Sequence, residues 1–167
     1  IIHLHNIHGY YINIEILFNY LQKTNIPIVW TFHDCWPITG HCSHFSFVGC
    51  EKWKKKCYDC PQKTSYPASW LVDRSEKNFH LKKELFTSLP NLTLVPVSKW
   101  LSGILEESFL QGYSIKLIHN GINTDVFKPS TSRHFRSKHG LEHKFLLLGV
   151  ASVWSPRKGL KDFIELS

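Results

Sequence analysis

The sequence predicts an α/β fold: a parallel sheet with helices packed on it, followed by the start of a second unit of the same kind. Three observations carry that prediction. Short runs of β-branched and aromatic residues, above all Ile28-Val29-Trp30-Thr31-Phe32, read as strands buried on both faces. Stretches with apolar residues at helical spacing alternate with these runs through short joints, the pattern of strand–helix–strand units. Several strands end in polar or histidine-bearing residues, at the rim where open α/β sheets bind their ligands.

Taken in order, Ile1 to His5 reads as a first strand leading into Asn6-Ile7-His8-Gly9. Ile14, Leu17, Phe18 and Leu21 recur at helical spacing, which predicts an amphipathic helix over about 10–23, ended by Asn25 and Pro27. Strand 28–32 follows and closes on His33-Asp34. A cysteine-bearing loop occupies about 35–70 and is expected to be too polar to order itself. Asp73 then caps a helix over about 74–88, with Pro90 beyond its end. Leu92 to Val97 is a third strand. Ser98 caps a helix through about Phe109, with Leu101, Ile104 and Leu105 as its buried stripe. Ile115 to Ile118 is a fourth strand, closed by His119-Asn120-Gly121. These elements, 1–127, make up most of one domain. The polar stretch 128–143, with Pro, Ser, Arg and Lys, reads as a crossing between domains. Phe145 to Val150 reads as the first buried strand of a second domain, 144–167, and a helix begins after Gly159.

Composition narrows the class. Of 167 residues, 43% are apolar and 20% charged, which suits a globular chain with a core. No basic segment precedes an apolar run at the N-terminus, and no stretch of about 18 apolar residues exists to span a bilayer. The chain begins inside a strand and ends inside a helix, so both ends are expected to continue in a longer protein. The net charge of +7, with eleven histidines besides, reads either as a solvated basic surface or as attraction to phosphates or anionic lipid headgroups. Nucleic acid is not expected, because the basic residues are scattered apart from Lys54-Lys55-Lys56. The expected location is the cytoplasm, with peripheral contact at the inner face of the membrane.

Three sets of residues carry chemistry. His3 and His5 point to one face of the first strand near its carboxyl end, and His33 ends the second strand in the same way. A histidine there can act as a base, donate to a sugar or phosphate, or ligate a metal. If the two strands are neighbours, His5 and His33 line one crevice. Next, Arg157-Lys158-Gly159 lies at a strand–loop–helix joint, where free backbone amides and two cations suit a diphosphate, and Gly159 permits close approach. Finally, Cys42, Cys50, Cys57 and Cys60 fall within nineteen residues and end in a tight Cys-x-x-Cys. Four thiolates suit tetrahedral zinc, which would be structural, since four protein ligands leave no open position. Disulfides and free buried thiols are the alternatives. His41 or His44 could replace a thiolate, and Cys35 reads as a packed small residue.

The order of these motifs resembles a known family. His3-Leu4-His5-Asn6 is followed by Thr31-Phe32-His33-Asp34-Cys35-Trp36-Pro37-Ile38-Thr39-Gly40-His41-Cys42, then Val97-Ser98-Lys99-Trp100-Leu101, then Asn120-Gly121-Ile122-Asn123, then Arg157-Lys158-Gly159. The series is similar to the retaining glycosyltransferases of family 4, especially those tied to capsule and exopolysaccharide synthesis. The resemblance implies a GT-B fold, two Rossmann-like domains facing across a cleft, with the acceptor held mainly by the first and a nucleotide-diphosphate sugar by the second. It implies that Lys158 contacts the donor diphosphate, that Arg157 and Gly159 assist, and that His5 lines the sugar site and takes part in catalysis, with His33 close to it. It implies no catalytic metal. The partners are then a nucleotide-sugar and a saccharide or lipid-linked acceptor.

Departures from the family pattern temper this. Ala151-Ser152 stands where the family has Gly-Arg. The family's Glu-x7-Glu pair would lie beyond Ser167, and its Gly-rich first loop before Ile1. The chain is therefore expected to be inactive alone. The alternative class is a zinc-bearing binding module for an anionic polymer, without catalysis.

Overall fold

A computed structural model describes residues 1–69, 71–130 and 133–166. Trp70, in the expected cysteine loop, Thr131 and Ser132, in the expected crossing, and Ser167 lie outside the described residues. The chain divides into two compact units, Ile1–Asn120 and Gly121–Ser167.

The first unit is a four-stranded parallel sheet with helices between the strands. Its elements are β1 (Ile2–Leu4), α1 (Ile14–Leu21), β2 (Ile28–Phe32), α2 (Ser75–Phe86), β3 (Leu92–Pro96), α3 (Lys99–Glu106) and β4 (Ser114–Ile115). The strands lie side by side in the order β1-β2-β3-β4. Ile2 pairs with Ile28, Leu4 with Trp30, Ile28 with Leu92 and Leu94 with Ile115. β4 is short, but the Lys116 amide donates to Leu94 O at 2.8 Å and the Ile118 amide to Pro96 O at 3.2 Å, so the ladder runs on to residue 118. This is a Rossmann-like α/β arrangement.

Side chains alternate across a strand, so residues 2, 4, 28, 30 and 32 share one face and 3, 5, 29, 31 and 33 the other. The even face carries the core. Trp30 packs against Phe18 of α1 and Phe86 of α2, with ring centroids 5.6 and 4.9 Å away, and Phe18 meets Phe86 at 4.5 Å. A monotonic strand order with right-handed crossovers puts successive helices on the same side, which is why α1 and α2 can share this cluster.

α1 starts later than its periodicity suggests. Asn13 caps it, its Oδ1 accepting from the Ile16 amide at 3.2 Å. Tyr10 upstream has φ of 62°, a left-handed conformation that no helix residue adopts. At α2 the cap position falls on Arg74, which makes no side-chain cap bond, and Asp73, expected to cap, stands one residue before it: Oδ1 accepts from the Ser75 amide at 2.7 Å, while Oδ2 accepts from the Cys60 amide at 2.6 Å. Ser98 caps α3 through the Leu101 amide.

The loop after β2 corrects one expectation. Far from being too polar to order itself, it buries Trp36, Ile38, Phe45 and Trp53, four large apolar side chains that join the main core. Three short 3-10 turns, Trp36–Ile38, Phe45–Val48 and Lys52–Lys54, carry them inward. Gly40 is packed so closely that a Cβ there would overlap the Ser75 carbonyl and lie 2.8 Å from the Cys57 Cβ.

The second unit holds α4 (His134–Lys138), a 3-10 turn (Pro156–Lys158) and α5 (Leu160–Glu165). The stretch 128–143 lies within it. Here the expected strand Phe145–Val150 does not form: it is unpaired, and Phe145, Leu148 and Val150 are more than four-fifths exposed. The reason is physical. Among the described residues this unit has no other strand, and a lone strand has no partner for its amides and carbonyls. Gly149 sits instead beneath a small Trp154–Phe163 stack; a Cβ there would meet the Trp154 ring at 2.9 Å.

Candidate functional site

The sheet geometry gathers three imidazoles at the carboxyl edge of β1 and β2. All lie on the odd face, opposite the helix-covered core. His5 Nδ1 and His33 Nε2 are 3.1 Å apart, a hydrogen bond in which one ring donates, and the rings stack at 5.4 Å. His3 lies 4.3 Å from His5 between ring centroids, and its Nε2 is 2.8 Å from Thr31 Oγ1. Trp30 Nε1 donates to the His5 carbonyl at 3.0 Å and fixes the backbone where the strand ends. The His5 pKa falls below the ordinary 6.5, through partial desolvation first and then the neighbouring His3 and His33. At neutral pH His5 is thus an exposed neutral imidazole, able to accept a proton or to bond a hydroxyl.

The next residue opens a second feature. Asp34 turns the chain, its Oδ1 accepting from the Trp36 amide at 2.9 Å, and its Oδ2 lies 3.4 Å from His8 Nε2. His8 is buried and stacks on Trp36 at 5.1 Å. Burial lowers the His8 pKa and Asp34 raises it; burial wins, with Lys82 adding to it. The His8–Asp34 contact at neutral pH is therefore mainly a hydrogen bond from a neutral ring.

An open groove of about 360 Å³ has Ile7, His8, Tyr10, Trp36, His41 and Lys82 among its lining residues; His3, His5, His33 and Asp34 do not line it. Tyr10 and Tyr66 meet edge to face at 6.4 Å beside it. Lys82 is its buried floor. Its Nζ donates to Trp36 O at 2.8 Å and Thr39 O at 2.9 Å and lies 3.4 Å from the centroid of a Trp36 ring. Burial holds its pKa well below that of an ordinary lysine.

The cysteines are all thiols in this structure. Cys42, Cys50, Cys57 and Cys60 line a single small cavity. Among the described residues, no three His, Cys, Asp or Glu side chains stand, as placed, in a set that could hold a metal ion. Cys35 is buried, its thiol pushed up to about 12 by burial and then by Asp34, which suits an inert packed residue.

In the second unit, Arg157 and Lys158 are exposed on the turn before α5, and Gly159 caps that helix with φ of 70°. The left-handed conformation favours glycine there. Asp162, in the first turn of α5, places a negative charge beside the amides that a phosphate would use.

Two residues of the groove, Lys82 and His8, are outside the residues that the sequence motifs single out. Lys82 stands at positions i+3 from Phe79 and i−4 from Phe86, squarely on the buried stripe of α2. His8 follows β1 by four residues, on the same sheet edge as His5.

No protein-family model matches the chain, and no solved structure matches it. Over 131 residues the chain is 30% identical to a protein of Escherichia coli (strain K12) named "Putative colanic acid biosynthesis glycosyl transferase WcaC". The match covers 74% of this chain and 31% of that protein, so the chain spans about a third of the length of its curated relative.

Proposed function

We propose that this chain is part of a glycosyltransferase of surface-polysaccharide synthesis, moving a sugar from a nucleotide-diphosphate donor to a saccharide or lipid-linked acceptor. The observation that carries the reading is the 30% identity to a glycosyl transferase over most of the chain. The imidazole cluster at the carboxyl edge of a parallel sheet supports it, since open α/β sheets place ligands there. In this reading the enzyme is of the retaining GT-B type and works in the cytoplasm, at the inner membrane face when the acceptor is lipid-linked.

Each residue then has a task. His5, neutral and exposed, contacts the sugar at the reacting centre, and His33 holds the His5 ring by the bond between them. The groove lined by His8, Trp36 and Lys82 takes the acceptor: its aromatic walls offer apolar faces to sugar rings, and its polar groups fix orientation. Lys158 and Arg157 offset the charge that grows on the leaving diphosphate, a contribution preorganised cations make strongly in the transition state.

The test is transfer from a panel of labelled nucleotide sugars to saccharide and lipid-linked acceptors by the intact protein that contains these residues. Transfer with the anomeric configuration kept is the expected result, and Lys158→Ala should lower kcat by about 10²–10³-fold. Inverted product would refute the retaining assignment. Transfer unaffected by Lys158→Ala would remove Lys158 from the donor site.

A further inference from the structure

The cysteine loop is the part of the molecule that glycosyl transfer leaves without a task. Its four thiols line one small cavity of about 10 Å³, room for about one small occupant. Asp59 has φ of 43°, a left-handed residue that lets Cys57-Tyr58-Asp59-Cys60 turn tightly.

Two buried groups nearby lack what thiolates would supply. Trp53 Nε1 lies in the wall of the same cavity and has no hydrogen-bond acceptor. Lys82 is enclosed with only two carbonyls and an indole face against its ammonium, and among the described residues no carboxylate forms an ion pair with it. A zinc ion with four thiolates carries a net double negative charge, which a buried cation and an indole N–H complement.

We infer that Cys42, Cys50, Cys57 and Cys60 bind one zinc ion as a closed tetrahedral thiolate site that fastens the loop 35–73 over the sheet. Four soft sulfurs in tetrahedral array select zinc among the common divalent ions. Each thiol gives its proton to solvent on ligation, and no redox change is involved. The sulfurs share a cavity without standing at ligand geometry, so the ion draws them the last step inward, as metals commonly do when binding is coupled to folding. The site is structural: it holds Trp36, Gly40 and His41, which wall the groove, but offers no open position for substrate.

The experiment is metal analysis of the purified chain, prepared under reducing conditions without chelator, together with the cobalt(II) spectrum of the metal-exchanged protein. Expected are one zinc per chain, and intense visible and near-ultraviolet cobalt bands of tetrahedral sulfur ligation. Cys57→Ser should weaken zinc binding at least tenfold, while Cys35→Ser keeps the full metal content. Two disulfides, bound iron, no metal, or full zinc in Cys57→Ser would each overturn the assignment. If Cys57→Ser does not fold, the cobalt spectrum of the unmutated chain still decides.

Discussion

At the scale of single residues, the histidines behave according to their surroundings. His5 and His8 both hold a proton less readily in the fold than the ordinary 6.5, each chiefly through desolvation. The unfolded chain therefore takes up protons first as pH falls through about 6.5, and stability is lost from there down to each folded value. Denaturation midpoints at pH 7.5 and 5.5 check this: the lower pH should give the lower midpoint. A midpoint that rises at pH 5.5 would mean that the imidazoles gain partners in the fold instead of losing solvation. Residue type and position alone marked His5 and His33, because both fall at strand ends. They could not mark His8, whose importance comes from Asp34 and Trp36 reaching it across the chain. Lys82 was legible only as a misfit, a lysine on an apolar stripe.

At the scale of elements, Asp73 shows how one side chain can serve two. One oxygen accepts from the Ser75 amide where α2 begins and the other anchors the Cys60 amide. Burial pushes its pKa up, and the bonds from Ser75 and Cys60 outweigh that and hold it below the usual carboxylate value. Asp73→Ala leaves the Ser75 and Cys60 amides without their acceptor, so it should cost about 1–2 kcal/mol, read as a lowered denaturation midpoint. No change on that substitution would show that α2 and the loop are held elsewhere. The strands and caps of the first unit were readable because local pattern and tertiary environment agree there: β2 is apolar and lies between β1 and β3. Phe145 to Val150 has a similar pattern and no strand beside it in its unit, so the same apolar run stays unpaired. Pattern specifies which segments can be strands, and neighbours decide which of them become so.

At the scale of the molecule, the first unit carries imidazoles on exposed strand ends, an aromatic groove, and a cysteine loop packed into the core. The net charge of +7 attracts anions over a long range. The sequence order of motifs pointed to glycosyl transfer, and the identity to a curated transferase supports the same chemistry. The groove was not legible beforehand, because its walls come from residues near 8, 36, 67 and 82, which only folding brings together. The central claim is that the imidazole edge belongs to the reacting centre of a sugar transfer. Its most direct test is acceptor-dependent release of nucleoside diphosphate from nucleotide sugars by the intact protein, compared with His5→Ala. Loss of about 10²-fold or more in kcat, with the circular dichroism spectrum unchanged, is the predicted result. Equal rates for the two proteins would contradict it.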